Sequence, residues 1–199
     1  MAGRLASDGG QPVSPFARWL AEGRSRFGVA RSWLATLGLG LAAGPLALLS
    51  AFWGSGQTVF SVLAVTVFAP LVEEMGKIMA ALVTVERRPF VFRSSWQILF
   101  CCAAGGTVFA VIENVLYLHV RPSPPAPELV YWRWTVCTGL HIGCSLIAGW
   151  GVVRVWQDVW HRQGPARVEV GYPYWITAIV IHGVYNGFAL VFEFLLSPF

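Results

Sequence analysis

Five long apolar stretches constrain the fold of this chain more than any other feature of its sequence. A helix that crosses a lipid bilayer needs roughly 20 mostly apolar residues. Five segments reach that length, at residues 32–53, 58–85, 95–118, 129–155 and 172–196. Only 12% of the residues are charged, against about 25% in an ordinary soluble domain. The sequence therefore predicts an all-α fold, a polytopic membrane bundle of about five transmembrane helices.

The basic residues predict how this bundle is oriented and divided. Arginines concentrate in residues 1–31 and in the second-to-third and fourth-to-fifth connections, and only Arg121 and Arg133 fall on the other side. The positive-inside rule then places the N-terminus in the cytoplasm and the C-terminus outside. We predict a basic N-terminal arm over residues 1–31, partly disordered or interfacial, and a bundle over residues 32–199. The arm is expected to contact anionic lipid and not nucleic acid.

Ionisable and amide side chains lie inside four of the spans, at a depth where a charge costs roughly 2.5–3.5 kcal/mol. Such groups normally face the bundle interior and mark a path or a site. Helical spacing places Glu73 and Glu74 within reach of Lys77, and it places His182 on the face of Asn186. The sequence predicts one polar site built from four spans, with these members: Glu73, Glu74, Lys77, Glu113, Asn114, Tyr117, His141, His182 and Asn186.

Several members also have a structural interpretation. Lys77 is expected to be the counter-ion of the paired glutamates, and Asn114 and Tyr117 also suit hydrogen bonding between helices. Small residues four apart predict close helix approach; they are Gly139 and Gly143, then Gly183 and Gly187. The cysteines are interpreted as packing residues. A soft-metal site is the alternative for three residues on one helix face, Cys137, His141 and Cys144.

Four blocks of this sequence contain the polar residues named above: Glu73-Glu74-Met75-Gly76-Lys77, Phe109-Ala110-Val111-Ile112-Glu113-Asn114, His141, and His182-Gly183-Val184-Tyr185-Asn186. In this order, across roughly residues 67–188, they resemble the motifs of the PrsW family of bacterial intramembrane proteases. The family is distantly similar to the CAAX prenyl proteases, in which a glutamate activates water without a tightly bound metal.

The resemblance implies a glutamate-type endopeptidase in the bacterial plasma membrane that cuts a membrane-anchored protein. Well-studied members of the family cut an anti-sigma factor. Peptide hydrolysis needs a base for water, an acid for the leaving amine and donors for the oxyanion. In our hypothesis Glu73 is the base, and Glu74 is the partner of Lys77 or of a histidine. His141 orients the water or acts as the acid, and His182 and Asn186 are the oxyanion donors. Glu113 is the carboxylate that orients a histidine.

Two questions stay open at this level. No cofactor is required by this hypothesis, but zinc is possible, with Glu73, His141 and His182 as ligands, although the H-E-x-x-H motif is absent. Buried Glu, His and Lys also form proton relays, so a proton-coupled membrane transporter is one alternative function. A non-catalytic membrane scaffold that binds partner helices through its glycine-rich faces is the other.

Overall fold

The secondary structure of this protein is helical, without a strand in the residues that the computed structural model describes, 13–46, 62–119 and 124–196. The α-helices are α1 (Pro15–Arg26), α2 (Val29–Leu46), α3 (Ala69–Arg87), α4 (Ser95–His119), α5 (Pro127–Trp132), α6 (Thr138–Arg162) and α7 (Tyr172–Leu196). A first π-helical turn, Ala64–Phe68, leads into α3, and a second, Arg133–Cys137, joins α5 to α6. Short 3-10 turns at Pro89–Val91 and Val168–Gly171 precede α4 and α7.

Three helical stretches are long and apolar enough to cross a membrane, namely Ser95–His119, Pro127–Arg162 and Val168–Phe192. They correspond to the third, fourth and fifth predicted spans. The first predicted span falls on α2, and the second on the first π-helical turn and α3, while residues 47–61 lie outside the described part. The all-helical architecture is confirmed. The number of about five spans and the orientation stay predictions.

The apolar core lies between α3, α4, α6 and α7. Ile78, Ile98, Val152 and Val155 are fully buried there. At one side of the core, Trp175 of α7 donates its indole N–H to the Ala148 carbonyl of α6, at 3.0 Å. This packing fixes α7 against α6, and with it the position of the residues that α7 carries toward the polar site.

The basic helix α1 is fastened to the connection between α3 and α4. Arg24 donates to the carbonyl oxygens of Phe92 and Arg93, at 2.8 and 3.1 Å, and its guanidinium lies 5.4 Å from the ring centroid of Trp160. Burial, and then the nearby charge of Arg93, lowers the pKa of Arg24. Three basic segments, α1, the α3–α4 connection and the end of α6, therefore lie together at one end of the bundle.

Close helix approach occurs at glycines, but only partly at those predicted. A Cβ atom at Gly183 would collide with the Thr66 carbonyl of the first π-helical turn, and one at Gly106 with Ser145 of α6. Gly139 and Gly143 have no atom of the described residues within 4 Å of their Cβ positions. Gly143 is two positions from Ser145, which lies on the inward face of α6, so Gly143 points roughly opposite to that face. Close approach at Gly139 and Gly143 stays a prediction.

The cysteines are buried and free. Cys101, Cys102 and Cys144 belong to the apolar core, and the Cys137 sulfur lies 3.1 Å from the Tyr185 hydroxyl. This is the arrangement expected of small packing residues. Within the described part of the chain, the acidic, histidine and cysteine side chains placed to share a metal ion are Glu73, His141 and His182, with no cysteine among them.

Candidate active site

Polar side chains from four helices meet inside the bundle. Glu73, Glu74 and Lys77 extend from α3, and they meet Glu113 of α4, His141 of α6 and His182 of α7. Pro70 lies in the first turn of α3, directly after the first π-helical turn. Most of these side chains are buried, with 0–7% of their surface exposed, whereas the Glu113 side chain is 25% exposed.

Lys77 is the centre of this network. Its ammonium donates to Glu74 Oε1 at 2.7 Å and to His141 Nδ1 at 2.8 Å. It also lies 4.0 Å from Glu73 Oε2 and 4.4 Å from the centroid of the Phe109 ring. Lys77 is thus placed as the counter-ion that the sequence predicts, and in addition it is a hydrogen-bond donor to a histidine.

The contacts of His141 fix its tautomer. An ammonium has no lone pair, so His141 Nδ1 must accept the hydrogen bond from Lys77. The ring proton is then on Nε2, which donates to Glu113 Oε2 at 2.9 Å. The ring also packs edge-on against Phe109 and His182, with centroids 4.9 and 5.0 Å apart. His141 is consequently held on both nitrogens and on two sides of its ring.

His182 is held by one nitrogen and presents the other. Its Nδ1 lies 2.7 Å from Glu74 Oε1. Because the Glu74 carboxylate accepts from the Lys77 ammonium and has no proton of its own to donate, His182 Nδ1 is the donor. In the neutral form of this ring the lone pair is on Nε2. Nε2 lies 3.7 Å from Glu73 Oε2. Glu73 Oε2 and His182 Nε2 are therefore close enough for one water molecule to form a hydrogen bond with each.

Arg133 belongs to this network, and the sequence reasoning missed it as a site residue. Its Nη2 donates to Glu113 Oε2 at 2.8 Å and its Nε to Asn114 Oδ1 at 3.0 Å. Its guanidinium lies 4.3 Å from the centroid of the Tyr117 ring. The signal that could have found it is its position inside an apolar span, where a charge requires a partner of opposite sign.

The two asparagines bind π-helical turns. Asn114 Nδ2 donates to the carbonyl of Arg133 and to the hydroxyl of Thr138, both at 3.0 Å. Asn186 Nδ2 donates to the carbonyl of Val65 at 3.0 Å. This geometry gives no support to Asn186 as an oxyanion donor, because its amide is directed to the backbone of the first π-helical turn.

The described residues of the site carry charges of both signs. The network contains three carboxylates, from Glu73, Glu74 and Glu113, and two fixed cations, Lys77 and Arg133. Glu74 lies 2.7 Å from the Lys77 ammonium and Glu73 lies 4.0 Å from it, whereas Glu113 pairs with Arg133 at 2.8 Å.

A metal ion fits part of this site. Glu73, His141 and His182 each present one ligand atom, and these atoms lie within 4.8 Å of one another. Two histidines and one glutamate form a known catalytic zinc set. Each histidine also has a carboxylate on its other nitrogen, Glu113 or Glu74, as is common for metal ligands. His141 would have to bind through Nδ1, which accepts here from Lys77.

The comparison with protein families agrees with this arrangement. A family model described as PrsW family intramembrane metalloprotease matches residues 29–198. Neither a curated protein nor a solved structure matches the chain significantly. The matched range extends from α2 into the residues beyond α7, and it includes every side chain of the polar network. The chain therefore belongs to the PrsW family of intramembrane metalloproteases.

Proposed function

We propose that this membrane protease hydrolyses a peptide bond of a membrane-anchored protein, in the bacterial plasma membrane, with Glu73 as its general base. The observation that carries the proposal is the buried pair of Glu73 Oε2 and His182 Nε2, 3.7 Å apart and facing each other. Membership of the family supports the reaction class. An anti-sigma factor is a candidate substrate, by the resemblance to well-studied members.

The facing pair can activate water. A water molecule beside the two atoms, about 2.8 Å from each, would donate one hydrogen bond to Glu73 Oε2 and one to His182 Nε2. As its oxygen attacks the substrate carbonyl carbon, its proton passes to Glu73. The same proton then passes from Glu73 to the leaving amine, and this step restores the carboxylate.

The other members of the network prepare this pair. Glu74 accepts from His182 Nδ1 and so directs the Nε2 lone pair toward Glu73. Lys77 lies 2.7 Å from Glu74 and 4.0 Å from Glu73, so its positive charge favours the carboxylate form of Glu73 that a general base needs. His141 holds the Lys77 ammonium in place through Nδ1.

The same residues define what a metal would do here. Glu73, His141 and His182 would hold it, and when bound it would supply Lewis-acid polarisation of the carbonyl and of water. We infer that hydrolysis does not require it, because the Lys77 ammonium already supplies the positive charge beside Glu74 and His141.

Reconstitution with single-span substrates tests the proposal. Wild-type protein and Glu73→Gln are placed in liposomes with a panel of single-span peptides, and cleavage is followed by mass spectrometry. Loss of a general base typically lowers the rate by about 10²–10⁴-fold, and we expect a loss of that size. Glu86→Gln is the matched control, because Glu86 lies on the same helix and is exposed; it should cleave normally.

The same panel separates the alternative functions. Full cleavage by folded Glu73→Gln would remove Glu73 as the base. A transporter would cleave no peptide and would instead show a proton-coupled flux that Glu73→Gln alters. A scaffold would keep its partner binding in both Glu73→Gln and His182→Ala.

A further inference from the structure

We propose that Arg133 is a positioning residue, which holds the Glu113 carboxylate where His141 can donate to it. The inference rests on the proposed function, because it assigns a role within the same site. Arg133 has no contact with Glu73 or His182 among the contacts of the described residues, so it acts through Glu113 and His141.

One carboxylate oxygen carries the argument. Glu113 Oε2 accepts from Arg133 Nη2 at 2.8 Å and from His141 Nε2 at 2.9 Å. The guanidinium and the imidazole therefore share a single acceptor, and the position of that acceptor decides whether His141 has a partner. A shift of this oxygen toward either donor would lengthen the hydrogen bond to the other.

Glu113 needs such a restraint more than the other carboxylates do. Its side chain is 25% exposed, against 7% for Glu73 and 1% for Glu74. A partly exposed glutamate on a helix has room to change its rotamer, whereas close packing restricts the rotamers of buried Glu73 and Glu74. Without Arg133, the Glu113 carboxylate would be free to leave His141.

Arg133 is itself held tightly enough to act as a restraint. Three residues of α4 surround its guanidinium, namely Glu113, the side-chain oxygen of Asn114 and the ring of Tyr117. Asn114 also donates to the Arg133 carbonyl at 3.0 Å. The backbone and the side chain of Arg133 are thus bound by the same neighbour, so the guanidinium approaches Glu113 from one fixed direction.

The test removes the Arg133 side chain and then adds guanidinium ion to the solution. Arg133→Ala should lower kcat about 10- to 100-fold, as loss of a partner that orients a ligand or catalytic histidine does, with KM within about twofold. Guanidinium ion at tens of millimolar should restore part of kcat, and sodium chloride of equal ionic strength should not. Arg133→Lys should lie between, because its ammonium keeps the charge but lacks the planar fork with which the guanidinium binds Glu113 and Asn114 in a fixed geometry.

A second measurement does not depend on turnover. The proton on His141 Nε2 should give a downfield NMR signal in ¹⁵N-histidine-labelled protein, assigned by its loss in His141→Gln. Arg133→Ala should lose this signal to exchange with water, and guanidinium should restore it. Arg154→Ala is the matched control, because Arg154 is exposed on α6 and its side chain bonds Gln157 at 3.3 Å.

Each outcome decides the inference. An unchanged His141 signal together with wild-type kcat in Arg133→Ala would overturn it, and so would a raised KM with unchanged kcat, since that marks a substrate contact. If Arg133→Ala does not fold, the same two measurements on Arg133→Lys decide. Failure of the proposed function appears separately, as a Glu73→Gln variant that still cleaves.

Discussion

At the scale of single residues, Lys77 determines how the buried charges are arranged. It is the one lysine of the 199-residue sequence, in which every other basic side chain apart from histidine is arginine. Lysine is a compact point charge, whereas arginine is a planar fork. The compact ammonium reaches Glu74, His141 and the face of Phe109 together.

Replacing Lys77 with Met tests this arrangement, because Met keeps the length of the side chain and removes the charge. Breaking a buried ion pair costs about 3–5 kcal/mol, so the thermal unfolding temperature in detergent should fall. Loss of the ammonium also frees His141 Nδ1, so we expect Lys77→Met to bind Co²⁺ more tightly than the wild type does. The visible absorption of bound Co²⁺ measures that affinity.

The metal content of the wild-type protein is the companion measurement. We expect chelator-treated wild type to retain its cleavage rate, since Lys77 supplies the local positive charge. One equivalent of zinc in the purified protein, together with activity that is lost on chelation and restored by zinc, would contradict this expectation.

At the scale of helical elements, the two π-helical turns stand out, because each directly precedes a helix that carries site residues. The first leads into α3, which bears Glu73, and the second into α6, which bears His141. The sequence has two asparagines, and each donates to a carbonyl of one of these turns. Single π turns are frequent at functional sites, and here a side chain from another helix supports each.

Asn186→Ala distinguishes such a support from an oxyanion donor. Removing the amide leaves the Val65 carbonyl without this donor, at a cost of about 1–3 kcal/mol, so we expect a lower unfolding temperature. Loss of an oxyanion donor would instead lower kcat about 10²–10³-fold with an unchanged unfolding temperature. Asn114→Ala, which affects the second π-helical turn, should destabilise the protein in the same way.

These elements also show how far the sequence could predict the molecule. Apolar length and helical spacing predict the spans that carry Glu113, His141 and His182, and the polar residues within them predict the members of the network. The π-helical turns have no sequence signature, so the pairing of Arg133 with Glu113 was missed. Small-residue spacing does not tell which helix face is inward, and Gly139 and Gly143 have no close neighbour among the described residues.

At the scale of the whole molecule, the basic segments lie at one end of the bundle. Arg162 and Arg167, near the end of α6, both bind Asp158 at 2.5 Å. The hydrogen bond to Asp158 raises the pKa of Arg167. Arg167 is charged at physiological pH, as every arginine is, and it adds to the positive charge on which the orientation prediction rests.

Cysteine labelling tests this orientation. His161→Cys lies at the basic end of α6 and Ala126→Cys just before α5, and both positions are exposed. A thiol reagent that does not cross membranes should label Ala126→Cys in intact cells and His161→Cys only after lysis. The wild type serves as background, because its four cysteines are buried. The reverse pattern would place the N-terminus outside.

Because Lys77 is the one lysine of the sequence and is buried, its chemical reactivity can report when the bundle opens to water. Apart from the α-amino group, which peptide mapping separates, an acylating reagent has one amine to modify, and that amine is sealed within the bundle. The rate at which Lys77 becomes acylated would therefore measure how often the bundle opens and exposes its interior to water. A peptide bound in the site would lower the rate of Lys77 acylation. This rate would therefore report substrate binding before any peptide bond is cut.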